Sequence, residues 1–463
     1  MKYMIFSLAV VLGIPMIAAA TALFKNLKYL ALIGMVTTFL FNAQFSINLL
    51  SMEQYRGPVR GFEITFADII ALGLILGMLM SSGSKIVWKP RFSLLLLGFF
   101  LLAVVSVYKS SEKIYGWFAI WQLARMGTMY WCVTNFFATE EYSPTSIRVL
   151  MASYTVTALI LGLIAVKQKY LDGIYRINAF FDHSNTVPSF ALFLLCVLLV
   201  WLVSDGGLKR VHYLLALGSV LGVTLAILAT GSRTGIATAA GSILAALVIA
   251  NFRKKTTRIR YTTIFLAVCM ILGGLMVVDT VIDRFLNAPK ESEEARNEFE
   301  IAAIMMADDH AIGVGLNQYS QVLTVTQKYR EHITVMKYEK QAGVAHHIYL
   351  LTAAEMGYWG MYYFILIIGA FIFSMIWNGL AWKSLEQRLL LALVVGLTAV
   401  FAIGLFEWVL RQSPVLYQLV VAAAFGQALI TKVKLDKVSA KKKDHERVSE
   451  GAGNAQQRID QLL

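Results

Sequence analysis

The chain has 463 residues, 58% of them hydrophobic and 15% charged, with a formal net charge of +13. Soluble proteins run nearer to 45–50% apolar and about 25% charged, so a water-soluble enzyme is excluded and an all-α integral membrane protein is expected. The basic excess lies in short loops and in the tail, as it does where cations are held on the cytoplasmic side of a bilayer, so no nucleic acid partner is expected.

Apolar runs near twenty residues match the helix length that crosses about 30 Å of hydrocarbon. In chain order the predicted spans are 4–24, 29–50, 63–82, 92–107, 115–137, 149–166, 188–204, 212–231, 235–252, 261–282, 358–378, 389–410 and 414–431. That gives thirteen, or twelve if one weak segment is interfacial. The first run is too long for a signal peptide and lacks a convincing cleavage site, so a retained helix is expected. Cys132, Cys196 and Cys269 all fall within spans and form no CxxC pair, which supports neither a disulfide framework nor a zinc site.

Basic loops set the expected orientation. The run Arg253 to Arg260, Lys85 with Lys89 and Arg91, Lys209 with Arg210, and the tail from Lys432 fall on one side under this count. They are placed in the cytoplasm. Three segments then meet at the opposite face: the loop 167–187, the break Gly231-Ser-Arg-Thr-Gly235, and the insertion 283–357. The organisation is a bundle over 1–282, a large periplasmic loop over 283–357, further spans over 358–431 and a basic cytoplasmic tail over 432–463.

That face collects the groups able to do chemistry: Arg176, His183, Arg233, Arg296, and His346 with His347. Arg233 interrupts an apolar stretch, where a cation is costly unless it reaches the interface or an anion. The helix start after it also favours an anion. Guanidinium groups grip phosphate bidentately and stay charged, and an imidazole takes a proton near neutral pH. Plainer readings stand beside these. Arg233 can snorkel at a turn, Arg296 can pair along its helix with Glu293 and Glu300, and the histidine pair can cap a helix. Arg125 is expected to face Asp68 or Glu407 within the bundle. Asp308 and Asp309 make a poor metal pair, and neither a metal nor a cofactor is expected.

The pattern resembles the O-antigen ligase and polymerase superfamily of envelope glycan enzymes. Arg176-Ile-Asn-Ala-Phe-Phe-Asp-His183-Ser-Asn185 is similar to that family's Arg-x-x-Gly-x-Phe-x-His-x-Asn segment, with Ala179 at the glycine position. Ser232-Arg233-Thr234-Gly235 resembles its Ser-Arg-x-Gly break. Arg296, followed by Gly313-Val-Gly315-Leu-Asn-Gln-Tyr319, resembles its loop arginine and Gly-x-Gly-x-x-Phe. Ala345-His346-His347 with Gly357 and Gly360 resembles its histidine signature, with His347 replacing an amide or hydroxyl residue.

The resemblance implies a GT-C-like architecture in the bacterial inner membrane, with the active site facing the periplasm and the C-terminus in the cytoplasm. A glycan would pass from undecaprenyl diphosphate to a hydroxyl of a glycan, a lipid A-core or a protein, without metal or nucleotide sugar. His346 would be the base. Arg233 and Arg296 would hold the diphosphate, with Arg176, His183 and His347 as further binding residues. Two alternatives stay open: a polymerase joining lipid-linked repeats, and a flippase or transporter, which more often shows inverted repeats and helices broken at mid-membrane.

Overall fold

The computed structural model describes residues 2–81, 85–204, 207–251, 257–286, 290–331, 333–334 and 343–460. The basic residues 253–255 used for orientation fall outside them. Among the described residues, eight helices are long and apolar enough to cross a membrane, and Phe66–Met80, Ser93–Lys109 and Arg260–Cys269 are shorter apolar helices. The chain is an all-α integral membrane protein.

The centre of the bundle is Thr186–Ser204, in which every residue is buried. A helix apolar on all sides has no face to give to water, and this one packs against Arg210–Ala229, Arg233–Asn251 and Leu385–Ile403. Pro144–Val166 crosses Arg210–Ala229 at a glycine pair, where a Cβ on Gly162 would lie 2.7 Å from Gly222 Cα. Small residues of this kind let membrane helices approach closely.

Several predicted boundaries need correction. The span at 29–50 is not one helix: Lys25–Thr38 ends in a 3₁₀ turn, Phe39–Phe41, and Ser46–Ser51 is a β-strand. That strand pairs antiparallel with Gly61–Thr65, Ser46 opposite Thr65 and Asn48 opposite Glu63. The span at 63–82 therefore begins as strand. Its helix starts only at Phe66, where Thr65 and Asp68 form a reciprocal capping box, the arrangement that satisfies two free helix-end amides at once.

Further along, the span at 389–410 stops at Ile403, and Gly404 to Gln412 form an irregular turn holding a 3₁₀ segment, Val409–Arg411. The basic tail from residue 432 continues the last helix, Ser413–Asp460.

The span at 358–378 belongs to a longer helix, Ile348–Gly379, broken at Gly357 with φ 72° and ψ 170°. This backbone region is open essentially to glycine alone. A Cβ there would also sit 2.2 Å from the Ala311 carbonyl oxygen. The break frees carbonyls for the loop to use: Val314 N–H donates to Ala354 O at 2.8 Å and Gly315 N–H to Glu355 O at 3.0 Å. Asn317 then fastens this loop to segments some 200 residues or more earlier in the chain. Its amide donates to Val59 O at 2.8 Å and Tyr115 O at 2.7 Å, and its Oδ1 accepts from Val59 N–H at 3.2 Å.

Trp359 and Trp377 are strongly exposed on the same broken helix, 76% and 70%. Eighteen residues at 1.5 Å each separate them by about 27 Å, close to one hydrocarbon thickness.

Candidate active site

Glu407 organises the site. It lies in the turn after Leu385–Ile403, 6% exposed, and its carboxylate has three neighbours from distant parts of the chain. Asn185 Nδ2 donates to Oε1 at 2.5 Å, Arg296 Nη2 donates to the same oxygen at 3.3 Å, and His346 Nδ1 lies 3.2 Å from Oε2. The chain is carried one step further by Arg176, whose Nη2 donates to Asn185 Oδ1 at 3.2 Å and whose Nε donates to Thr230 O at 3.0 Å. Five side chains from four segments thus form one bonded group.

Local folding explains the convergence. Ile348 N–H, the first of its helix, donates to Gly404 O at 2.8 Å, which docks the start of one helix on the end of another and sets His346 beside Glu407. His347 caps that helix by accepting the Leu350 N–H on Nδ1 at 3.2 Å. Burial keeps the His347 imidazole below its ordinary 6.5, in the neutral form that a cap acceptor requires.

The loop after Pro144–Val166 is shaped by Gln168, whose side chain brackets Ala179 with two bonds, 2.7 Å to its carbonyl and 2.9 Å from its amide. Ala179 is forced to φ 52°, the left-handed region that glycine enters without steric cost. This is the position at which the resembled motif carries glycine.

The imidazole and the guanidinium are held loosely. Side-chain exposure is 28% at His346 and 37% at Arg296, against 8% at Glu407. Arg296 lies on Lys290–Asp309, and Glu300, one turn on, is half-buried. Burial raises the Glu300 carboxyl above the ordinary carboxylate value, while the charges of His346 and Arg296 pull it back.

Of the residues singled out from sequence, the structure joins Arg176, Arg296 and His346 in one group. Arg233 opens the neighbouring helix, Arg233–Asn251, half-buried and two residues beyond Gly231, where an added Cβ would meet Arg176. His183 is exposed, two residues before Asn185. Two carboxylates were missed as site residues. Glu300 had been read only as a helix-face partner of Arg296, and Glu407 as a partner for Arg125. Arg125 instead binds Asp68, as expected, together with Glu63. A carboxylate inside an apolar run was the available signal. Asp309 is taken up by Lys328 and Tyr329, at 2.5 and 2.8 Å.

Residues 217–365, about a third of the chain, match the family model described as O-antigen ligase. The match includes Arg233, Arg296 and His346 but not Arg176, Asn185 or Glu407. No curated protein matches the chain. With its apolar helices and this matched segment, the chain is a membrane protein that carries a domain similar to O-antigen ligases.

Proposed function

We propose that the protein transfers a glycan from undecaprenyl diphosphate to an acceptor hydroxyl at the outer face of the inner membrane. The observation that carries this reading is the sharing of the Glu407 carboxylate by His346 and Arg296, which brings a base and an anion-binding group within one small site.

With Nδ1 turned toward Glu407, the neutral imidazole keeps its proton on that nitrogen and presents Nε2 as the acceptor. The acceptor oxygen attacks the anomeric carbon of the donor sugar and its proton passes to Nε2. The bond from that carbon to the phosphate oxygen breaks, and the lipid diphosphate leaves with its negative charge. Glu407 stabilises the imidazolium formed. Arg296 and Arg176, with Arg233 on the adjoining helix start, meet the charge on the leaving diphosphate, the role in which preorganised guanidiniums contribute most. His183 and His347 flank this donor site.

The lipid part of the donor has a place to lie. An apolar cavity of about 350 Å³ runs between helices from Phe364 and Phe401 to Pro90 and Phe371. Phe364 packs against Tyr349, three residues beyond His346.

Purified protein in lipid nanodiscs, given a lipid-linked glycan and an acceptor glycan, should transfer sugar. His346→Ala should lose about 10²–10⁴-fold in rate with an unchanged melting temperature. Parent-like transfer by that variant would remove the base from the proposal. In cells lacking the protein, accumulated full-length lipid-linked polymer would identify a ligase, and accumulated single repeats a polymerase.

A further inference from the structure

Beside the Glu407 group lies a second, polar pocket of about 210 Å³. Its walls come from the turn after Lys25–Thr38, the loop between the two strands, the loop before Thr186–Ser204 and the turn after Glu407. Asn42, Arg60, Phe180, Asp182, Trp408 and Gln412 carry its chemistry. All of them lie outside the segment 217–365 that matches the family model.

The charges lining this pocket cancel. Arg60 and Arg411 stand against Glu63 and Asp182, two of each sign, so the net is zero. Arg411 is bound to Glu355 at 2.9 Å and Glu63 to Arg125 at 2.8 Å. The donor site, with its arginines, suits a diphosphate; this pocket does not. It offers amide donors and acceptors and charges of both signs next to aromatic faces. A sugar hydroxyl, donor and acceptor together, is the group that suits such a lining. Apolar sugar faces would lie against Trp408 and Phe180.

The pocket shares its walls with the site. Trp408 follows Glu407 directly, and Gln412 Oε1 accepts from Thr186 Oγ1 at 2.6 Å, next to Asn185. We infer that this pocket is the acceptor subsite and holds the terminal, uncharged sugar of the acceptor glycan. The inference rests on the transfer reaction proposed above and adds where the acceptor binds and what its end must be.

The test uses full-length protein in nanodiscs, with the delipidated envelope glycan of the source cell as acceptor. Arg60 and Asp182 are both exposed, so their replacement leaves the core intact. Arg60→Ala and Asp182→Ala should each raise the acceptor KM about tenfold, the loss of one hydrogen bond to a charged group, with kcat and donor KM within about twofold of the parent. An unchanged acceptor KM in the double variant overturns the subsite, and the transfer reading then stands as long as His346→Ala is inactive. Donor and acceptor KM rising together overturns the subsite as well. Should His346→Ala remain active, the transfer reading fails instead. Calorimetric binding of the same glycan, parent against double variant, then decides the pocket by itself: equal affinity overturns it, and a tenfold loss sustains it as a sugar site.

Discussion

Two buried carboxylate clusters sit near one end of this bundle and are built to opposite standards. Around Arg125 every charged group is spoken for. Its Nε meets Asp68 at 2.8 Å, Nη1 meets Glu63 at 2.8 Å, and Nη2 donates to Tyr417, whose own hydroxyl donates to Asp68 at 2.7 Å. Ser413 and Asn42 close the set on Glu63 at 2.5 and 2.8 Å. Burial opposes the charge on Glu63, yet Arg125 and these hydrogen bonds hold its carboxyl below the ordinary range.

Around Glu407, His346 and Arg296 lie at 3.2 and 3.3 Å and keep 28% and 37% of their side-chain surface exposed. A charge satisfied at every lone pair is scaffold. A charge held at the edge of bonding distance, with water still at its partners, can be taken over by a substrate.

That contrast is open to direct attack. Arg125→Met leaves two carboxylates buried without their cation and should cost about 3–5 kcal/mol of stability, read as a lower melting temperature in detergent. The transfer rate per folded molecule should stay near that of the parent. Glu407→Gln should do the reverse. Melting should change little while kcat falls about 10²–10³-fold, and the donor KM should not rise, because the amide no longer competes for Arg296. A variant that melted early and kept its kcat would make Glu407 a second scaffold.

Smaller effects test the loops that deliver the site. His347 has a folded pKa below its unfolded 6.5, so its cap stabilises fully above that pH and is lost as pH falls through the folded value. His347→Asn keeps a cap acceptor without titrating. It should hold its melting temperature between pH 7 and 5 while the parent drops by the equivalent of about 1 kcal/mol; parallel pH curves would dismiss the cap. Last, Ala179→Gly relieves a left-handed backbone worth about 1–2 kcal/mol, partly offset by the looser unfolded chain. A melting temperature raised by a degree or more is expected, and a lowered one would show that Gln168 does not impose the strain.

Much of this was readable from residues alone, and the limits have physical causes. Long apolar runs identify membrane helices because length and hydropathy are local properties. The break at Gly231 to Gly235 was visible for the same reason, as glycines and a cation inside an apolar stretch. The hairpin was hidden, since Ser46–Ser51 and Gly61–Thr65 are short and apolar and merge with the helices beside them. Glu407 could be recognised as out of place but not assigned. Its partners at 185, 296 and 346 are fixed by how helix ends dock, which no local pattern encodes. His347 illustrates the converse: a pair of histidines looks like paired chemistry, and the second one is occupied in starting a helix.

Asn317 has a consequence for anyone wishing to work with a smaller piece. It sits inside the segment that matches the family model, yet its amide is bound to Val59 and Tyr115, while the neighbouring Leu316 amide leans on Ser106 and the Gln318 side chain on the Glu112 carbonyl. Cut free at residue 217, that stretch would lose four anchorage points and the carboxylate at 407 that unites the reacting groups. The segment that matches the family model ends before the carboxylate that its own arginine and histidine share.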